Sequence, residues 1–186
     1  MMKTAQAYFY SFLLVFIFSS CHQKVERKAQ IDKLFSIAEF MNSEMDSLHA
    51  HQAQMMKTGW VNGVADSTLI EQPNWNNEWQ LFIRADISRP ALRSAYQIDS
   101  QRIDPESLRV LYTAIGEKPV VRSMEIISLG KDIRSIRIHM KNLNPVYKSR
   151  SLLEYYPGRY YRIKTSEKIT IGKEEKLEIK GRFIYR

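Results

Sequence analysis

Cysteine is nearly absent: the 186 residues contain one, Cys21. That excludes an internal disulfide, so the fold has to be held by its core. Long apolar runs are missing too. The run from Tyr8 to Phe18 is about eleven residues, whereas a helix needs roughly 20 to cross the hydrocarbon of a bilayer. There is no phosphate-binding loop, no zincin helix and no nucleophile elbow. Histidine offers no replacement chemistry. His49 and His51 stand two apart, roughly 200° around a helix axis, and cannot share one metal ion. Asp46 and His49 are spaced for a surface hydrogen bond, and His139 alternates with apolar neighbours on the polar side of a strand. These absences predict a protein that is not an enzyme, with no catalytic residue, no metal and no cofactor. Acidic residues are scarce in the last quarter, where Lys141 to Arg186 holds 12 Lys and Arg against 5 Asp and Glu, while His22 to Met140 is balanced at 15 each.

The amino terminus follows the order of a secretory signal: Lys3, the apolar run, then Ser19 and Ser20 ahead of Cys21. Phe18-Ser19-Ser20-Cys21 resembles the lipobox of bacterial lipoproteins, with Ser20 as the small residue before the cysteine and Phe18 where Leu is usual. The resemblance implies a signal peptide over 1–20, cleavage before Cys21 and acylation of Cys21, palmitate being a typical chain. Several acyl chains make attachment stable without any polypeptide crossing the membrane. The absence of Asp after Cys21, and of an acidic cluster in "HQKVERK", implies an outer-membrane lipoprotein facing the periplasm. Nucleic acid is not an expected partner there.

Residues 21–29 read as a tether and 30–186 as a single α+β domain with a composition suited to a packed core. From about Ala29 to Met56 there is no Pro or Gly, and Ile31, Leu34, Ala38, Met41, Met45, Leu48, Gln52 and Met55 recur at spacings of three and four. The pattern predicts one long amphipathic helix. Phe35, Ile37 and Phe40 widen its stripe beyond a coiled-coil seam, which favours a monomer over a dimer. "KTGWVNGVADSTLIEQPNWNNEW" reads as a loop with one short strand near Trp60. Asn74 then caps a second, shorter helix carrying Trp75, Trp79, Phe82 and Ala85 on one face. A strand through Trp79, Leu81, Ile83, Ala85 and Ile87 is the rival reading.

"DPESLRVLYTAIGEKPVVRSMEI" pits a helix start at Asp104-Pro105 against the β-forming Val110, Tyr112 and Thr113, and a hairpin is preferred. Beyond it the apolar period is two, as in Ile136, Ile138, Met140 and in Leu177, Ile179, Gly181, Phe183, Tyr185. The second half is therefore an antiparallel meander of six or seven strands, a curved sheet or half-barrel with one apolar face covered by the two helices and one wet, basic face.

"NWNNEWQLFIRADISRPALRSAYQI" followed by a meander resembles uncharacterised lipoproteins of the Bacteroidetes type, a likeness that supplies no activity. The layout is similar to half-barrel lipoprotein carriers that hold acyl chains between sheet and helix. Two aromatic groups are candidate sites. Trp60, Trp75, Trp79 and Phe82 either plug the space between helix and sheet or line an apolar cavity. Tyr155, Tyr156, Arg159, Tyr160, Tyr161 and Arg162 surround the turn "YYPGRYYR" and either bind a partner or form a cross-strand cluster. The sequence thus predicts an envelope lipoprotein that binds a protein, an anionic lipid or lipopolysaccharide, with an acyl-chain carrier as the alternative. The basic tail has a further reading, as lysines that keep exposed sheet edges from pairing with other chains.

Overall fold

The computed structural model describes residues 34–169 and 172–185. The expected signal peptide, Cys21, the expected tether and the start of the expected first helix lie outside the described residues. The first helix, α1 (Ile37–Ala50), begins where the Ser36 hydroxyl accepts a hydrogen bond from the Glu39 backbone N–H at 3.1 Å, a side-chain cap at the third helical position. It buries Ile37, Met41 and Leu48. It ends thirteen residues after it starts, well short of Met56, which corrects the expectation of a helix over 29–56. Gln52 adopts a left-handed backbone (φ +46°), and the chain leaves the helix axis there. Met55 and Met56 belong to β1 (Gln54–Val61), whose backbone pairs on both sides, with β2 (Val64–Ile70) and with the last strand of the chain. Two ladders of hydrogen bonds outweigh the helical spacing of Met55.

β1 and β2 form a hairpin closed by Asn62 and Gly63, both at positive φ (+50° and +91°), the backbone of a two-residue type I′ turn. The region expected to be a loop with one short strand is therefore two full strands. α2 (Trp75–Arg84) follows with Asn74 as its cap, Oδ1 accepting from the Asn77 N–H at 3.1 Å, and the rival strand does not form. A 3-10 turn over Pro90–Ala95 leads into β3 (Tyr96–Arg102) and β4 (Ser107–Ala114). Between these two, Asp104 accepts from the N–H groups of Glu106 (2.9 Å) and Ser107 (2.7 Å), so it closes a turn rather than starting a helix, as the hairpin reading required. β5 (Val121–Leu129), β6 (Asp132–Leu143), β7 (Tyr147–Tyr156), β8 (Tyr160–Ile169) and β9 (Glu174–Ile184) complete the chain.

β3 to β9 pair in succession as a seven-strand antiparallel meander, and β9 then pairs with β1, giving the order β2-β1-β9-β8-β7-β6-β5-β4-β3. The result is α+β, an open, curved sheet of nine strands with helices on one face. That face carries Met55, Phe183, Tyr161, Tyr155, Leu153, Ile138, Ile136, Met124 and Tyr112, all buried, against Ile37, Met41, Trp75, Trp79 and Phe82 of the helices. Among the described residues no helix is long and apolar enough to cross a membrane.

Candidate functional site

Successive residues of a strand point to opposite faces of its sheet. Across β6, β7, β8, β9 and β1 the registers run without a bulge, so the residues turned away from the helices line up in rows. One row is Arg137, Glu154, Arg162, Lys180. The next is His139, Leu152, Lys164, Glu178, Trp60, and the third is Lys141, Arg150, Ser166, Lys176.

The first row belongs to a ladder of alternating charge that crosses the sheet. Arg109 meets Glu125 at 2.6 Å, Glu125 meets Arg137 at 3.5 Å, Arg137 meets Glu154 at 3.3 Å, and Arg162 lies between Glu154 (3.8 Å) and Glu178 (3.2 Å). Arg109, Arg137 and Arg162 each have a carboxylate, so this part of the row is close to neutral and fixes cross-strand register rather than attracting ligands.

The second and third rows differ. A pocket of about 590 Å³ lies over them, lined by Trp60, Leu152 and five Lys and Arg (Arg122, Lys141, Arg150, Lys164, Lys176) against one acid, Glu178. Met140, Ser151, Thr165 and Leu177 also border it; by strand alternation their side chains turn towards the helix side, so they present backbone between the rows. Val61, the helix-side neighbour of Leu177 on β1, does not line the pocket, whereas Trp60 does. Three of the cations are partly neutralised: Arg122 and Lys141 share Glu117 at 3.8 and 3.5 Å, and Lys164 meets Glu178 at 3.6 Å. Arg150 and Lys176 have no ion pair within 4 Å among the described residues. They do feel Glu174, whose carboxyl accepts from the Ser166 hydroxyl. That hydrogen bond, then the charges of Lys176, Lys168 and Arg150, hold the Glu174 carboxyl below its usual range. The pocket thus combines two apolar side chains, Leu152 and Trp60, set on either side of the Lys164–Glu178 pair, with an excess of positive charge and a hydroxyl donor.

On the helix side, an opening of about 560 Å³ lies at the edge, lined by Leu48, Ala53, Gln54 and Trp75 among others, whereas the centre is filled among the described residues. Trp79 is fully buried with ring centres 5.2 Å from Tyr161, 5.4 Å from Tyr155, 5.6 Å from Trp75 and 6.0 Å from Phe82 and Phe183. The two buried tyrosines are tied to the helices: the Tyr155 hydroxyl donates to Glu44 of α1 at 2.5 Å, and the Tyr161 hydroxyl donates to Glu78 of α2. Glu78 also pairs with Lys57 of β1 at 2.7 Å. Burial first, and then the adjoining carboxylate, pushes both phenols far above their ordinary pKa, so they stay neutral donors.

The sequence-derived candidates are divided between the two faces. Trp75, Trp79 and Phe82 share the core, while Trp60 is on the opposite face in the pocket. In the tyrosine and arginine group, Tyr155 and Tyr161 are fully buried among the helices. Tyr156 and Tyr160 stack on the other face with centres 4.6 Å apart, Lys180 sits 4.7 Å from the Tyr160 ring centre, and Arg162 joins the charge ladder. Arg159 is exposed in the turn, beside Gly158 at φ +67°. The six residues therefore do not form one surface. The pocket residues Arg150, Leu152, Ser166 and Lys176 are absent from the sequence-derived candidates. The excess of basic residues after Met140 is the signal that points to them, and strand register is what assembles them. Among the described residues no three metal-ligating side chains cluster.

No family model matches the chain, and no curated protein matches it. A solved structure, that of the S-type phycobiliprotein lyase CPES from Guillardia theta, is similar at 8% identity over 82% of this chain and 93% of that chain, with a TM-score of 0.27. A likeness at that level carries no argument about function.

Proposed function

We propose that this is a lipid-anchored envelope protein, attached through Cys21, whose domain binds an anionic envelope component on the face away from the helices and catalyses no reaction. The observation that carries this reading is the pocket with five Lys and Arg, one Glu and an apolar floor. Local excess of one charge beside low-dielectric walls concentrates ions of the opposite sign. The half-barrel carrier reading puts the ligand between sheet and helices, and there the volume is occupied by Trp79 and the rings around it. The helix-free face is the better place for a ligand.

The full chain is expected to bind vesicles of phosphatidylglycerol more tightly than vesicles of phosphatidylcholine, and the difference should shrink as salt rises. Cosedimentation measures both. At about 1 kcal/mol per basic residue near an anionic surface, R150E/K176E should weaken phosphatidylglycerol binding at least about tenfold and leave phosphatidylcholine binding unchanged. Equal binding of wild type and R150E/K176E to phosphatidylglycerol would remove this face from the function.

A further inference from the structure

Glu174 sits in the third row's territory as a built-in anion. It is exposed, lies near the start of β9, and its carboxylate accepts from Ser166 while Lys176, Lys168 and Arg150 surround it with positive charge. Glu174 itself pairs with Lys168, one row beyond Ser166, while Leu152 and Trp60 lie in the row on the other side of Ser166, at positions separated by Lys164 and Glu178. The Ser166 hydroxyl therefore already holds a carboxylate one row away from the pocket's two apolar side chains, and the pocket has room for a drug-sized body.

We propose that the pocket binds a single amphipathic carboxylate, an alkyl or aryl acid whose body lies on Leu152 and Trp60 and whose head replaces Glu174 between Ser166, Arg150 and Lys176. This rests on the reading of the same face as an anion-binding surface and names its ligand class. Three features select a carboxylate with an apolar body over a simple inorganic anion. The hydroxyl and the two unpaired cations match a head group that one carboxylate side chain already occupies. The acid that faces the apolar floor, Glu178, is held by Arg162 at 3.2 Å and Lys164 at 3.6 Å and is therefore already neutralised. The floor itself offers an indole and an isobutyl group, which a bare phosphate cannot use.

Glu174 acts in this scheme as an intramolecular competitor. A group tethered next to its own subsite is present at millimolar effective concentration, so an incoming acid has to displace it. Removing its charge strengthens ligand binding, an effect that loss of a merely structural contact would not produce.

The test uses the full chain and dodecanoate carrying a terminal diazirine, crosslinked by light and mapped by peptide mass. Crosslinks are expected on the peptides that contain Trp60 and Leu152. At subsaturating probe, E174Q should raise their yield about two- to fivefold, the size of effect a single exposed ion pair allows. R150E/K176E should lower it about tenfold. All three substituted side chains are exposed, so the variants keep the fold. Labelling that spares Trp60 and Leu152, or that is the same in wild type, E174Q and R150E/K176E, overturns the proposal. If dodecanoate fails in this way while phosphatidylglycerol binding still depends on Arg150 and Lys176, the ligand class is wrong and the anion-binding face stands; if both dependences vanish, both readings fall.

Discussion

Trp79→Ala should lower the unfolding free energy of the domain by about 4 kcal/mol, within the range found when a buried Trp or Phe is truncated to alanine. Trp79 has no exposed surface, and five aromatic rings from three strands and one helix converge on it. Edge-to-face contacts with Tyr155, Tyr161, Phe82 and Phe183 add to the area it buries. Neighbours cannot collapse into the space it leaves, because Tyr155 and Tyr161 are tethered to Glu44 and Glu78 through their hydroxyls. The indole nitrogen is buried without a hydrogen-bond partner among the described residues, so Trp79→Phe should cost distinctly less than Trp79→Ala, having no polar group to leave unpaired. Urea unfolding followed by circular dichroism checks both. A loss below about 1 kcal/mol for Trp79→Ala would show that the helices are not held to the sheet through this residue.

Gly181→Val should prevent stable folding, and Gly181→Ala should cost about 1–3 kcal/mol, the typical cost of overpacking a filled core. Gly181 faces Tyr161 directly across β8 and β9, and the tyrosine ring lies over the bare glycine. A Cβ there would collide with Tyr161 Cε1 and come within 2.6 Å of Met55 Sδ and 2.7 Å of Tyr161 Cζ. The methionine is fully buried and the tyrosine is buried and bonded to Glu78, so neither has a free direction of retreat. The same unfolding measurement on G181A, Y161A and G181A/Y161A gives a coupling energy. Losses that simply add would mean that the ring and the glycine do not share one space.

How much of this was legible in the sequence depends on the range of the forces involved. The α2 helix could be read because its determinants are local: a capping Asn74 and three large aromatics at helical spacing. The meander could be read because alternation in Ile136, Ile138 and Met140 and in Leu177, Ile179 and Phe183 follows from one buried and one wet face. The length of α1 could not, since Met55 continues its spacing but is taken into β1 by pairing with Phe183, a partner at the other end of the chain. The β1–β2 hairpin was announced by Asn62-Gly63 between Val61 and Val64, a turn signal that the surrounding Asn, Asp and Gly residues obscured. The candidate site was legible only as composition. Basic residues after Met140 indicated a charged surface, but adjacent tyrosines on a strand necessarily part to opposite faces. "YYPGRYYR" therefore supplies two core residues and two surface residues instead of one binding patch. Trp60 separates from Trp75 and Trp79 for the same reason of alternation, since its strand neighbours Gly59 and Val61 take the helix side.

That separation supplies the most direct test of where a ligand binds. The chain has three tryptophans, two in the core and one in the basic pocket, and each gives its own indole N–H signal in a proton–nitrogen correlation spectrum of the labelled protein. Titration with dodecanoate should shift the Trp60 signal progressively and leave those of Trp75 and Trp79 in place. Movement of the Trp75 and Trp79 signals with Trp60 unchanged would put the ligand between the helices and the sheet and contradict a binding site on the helix-free face.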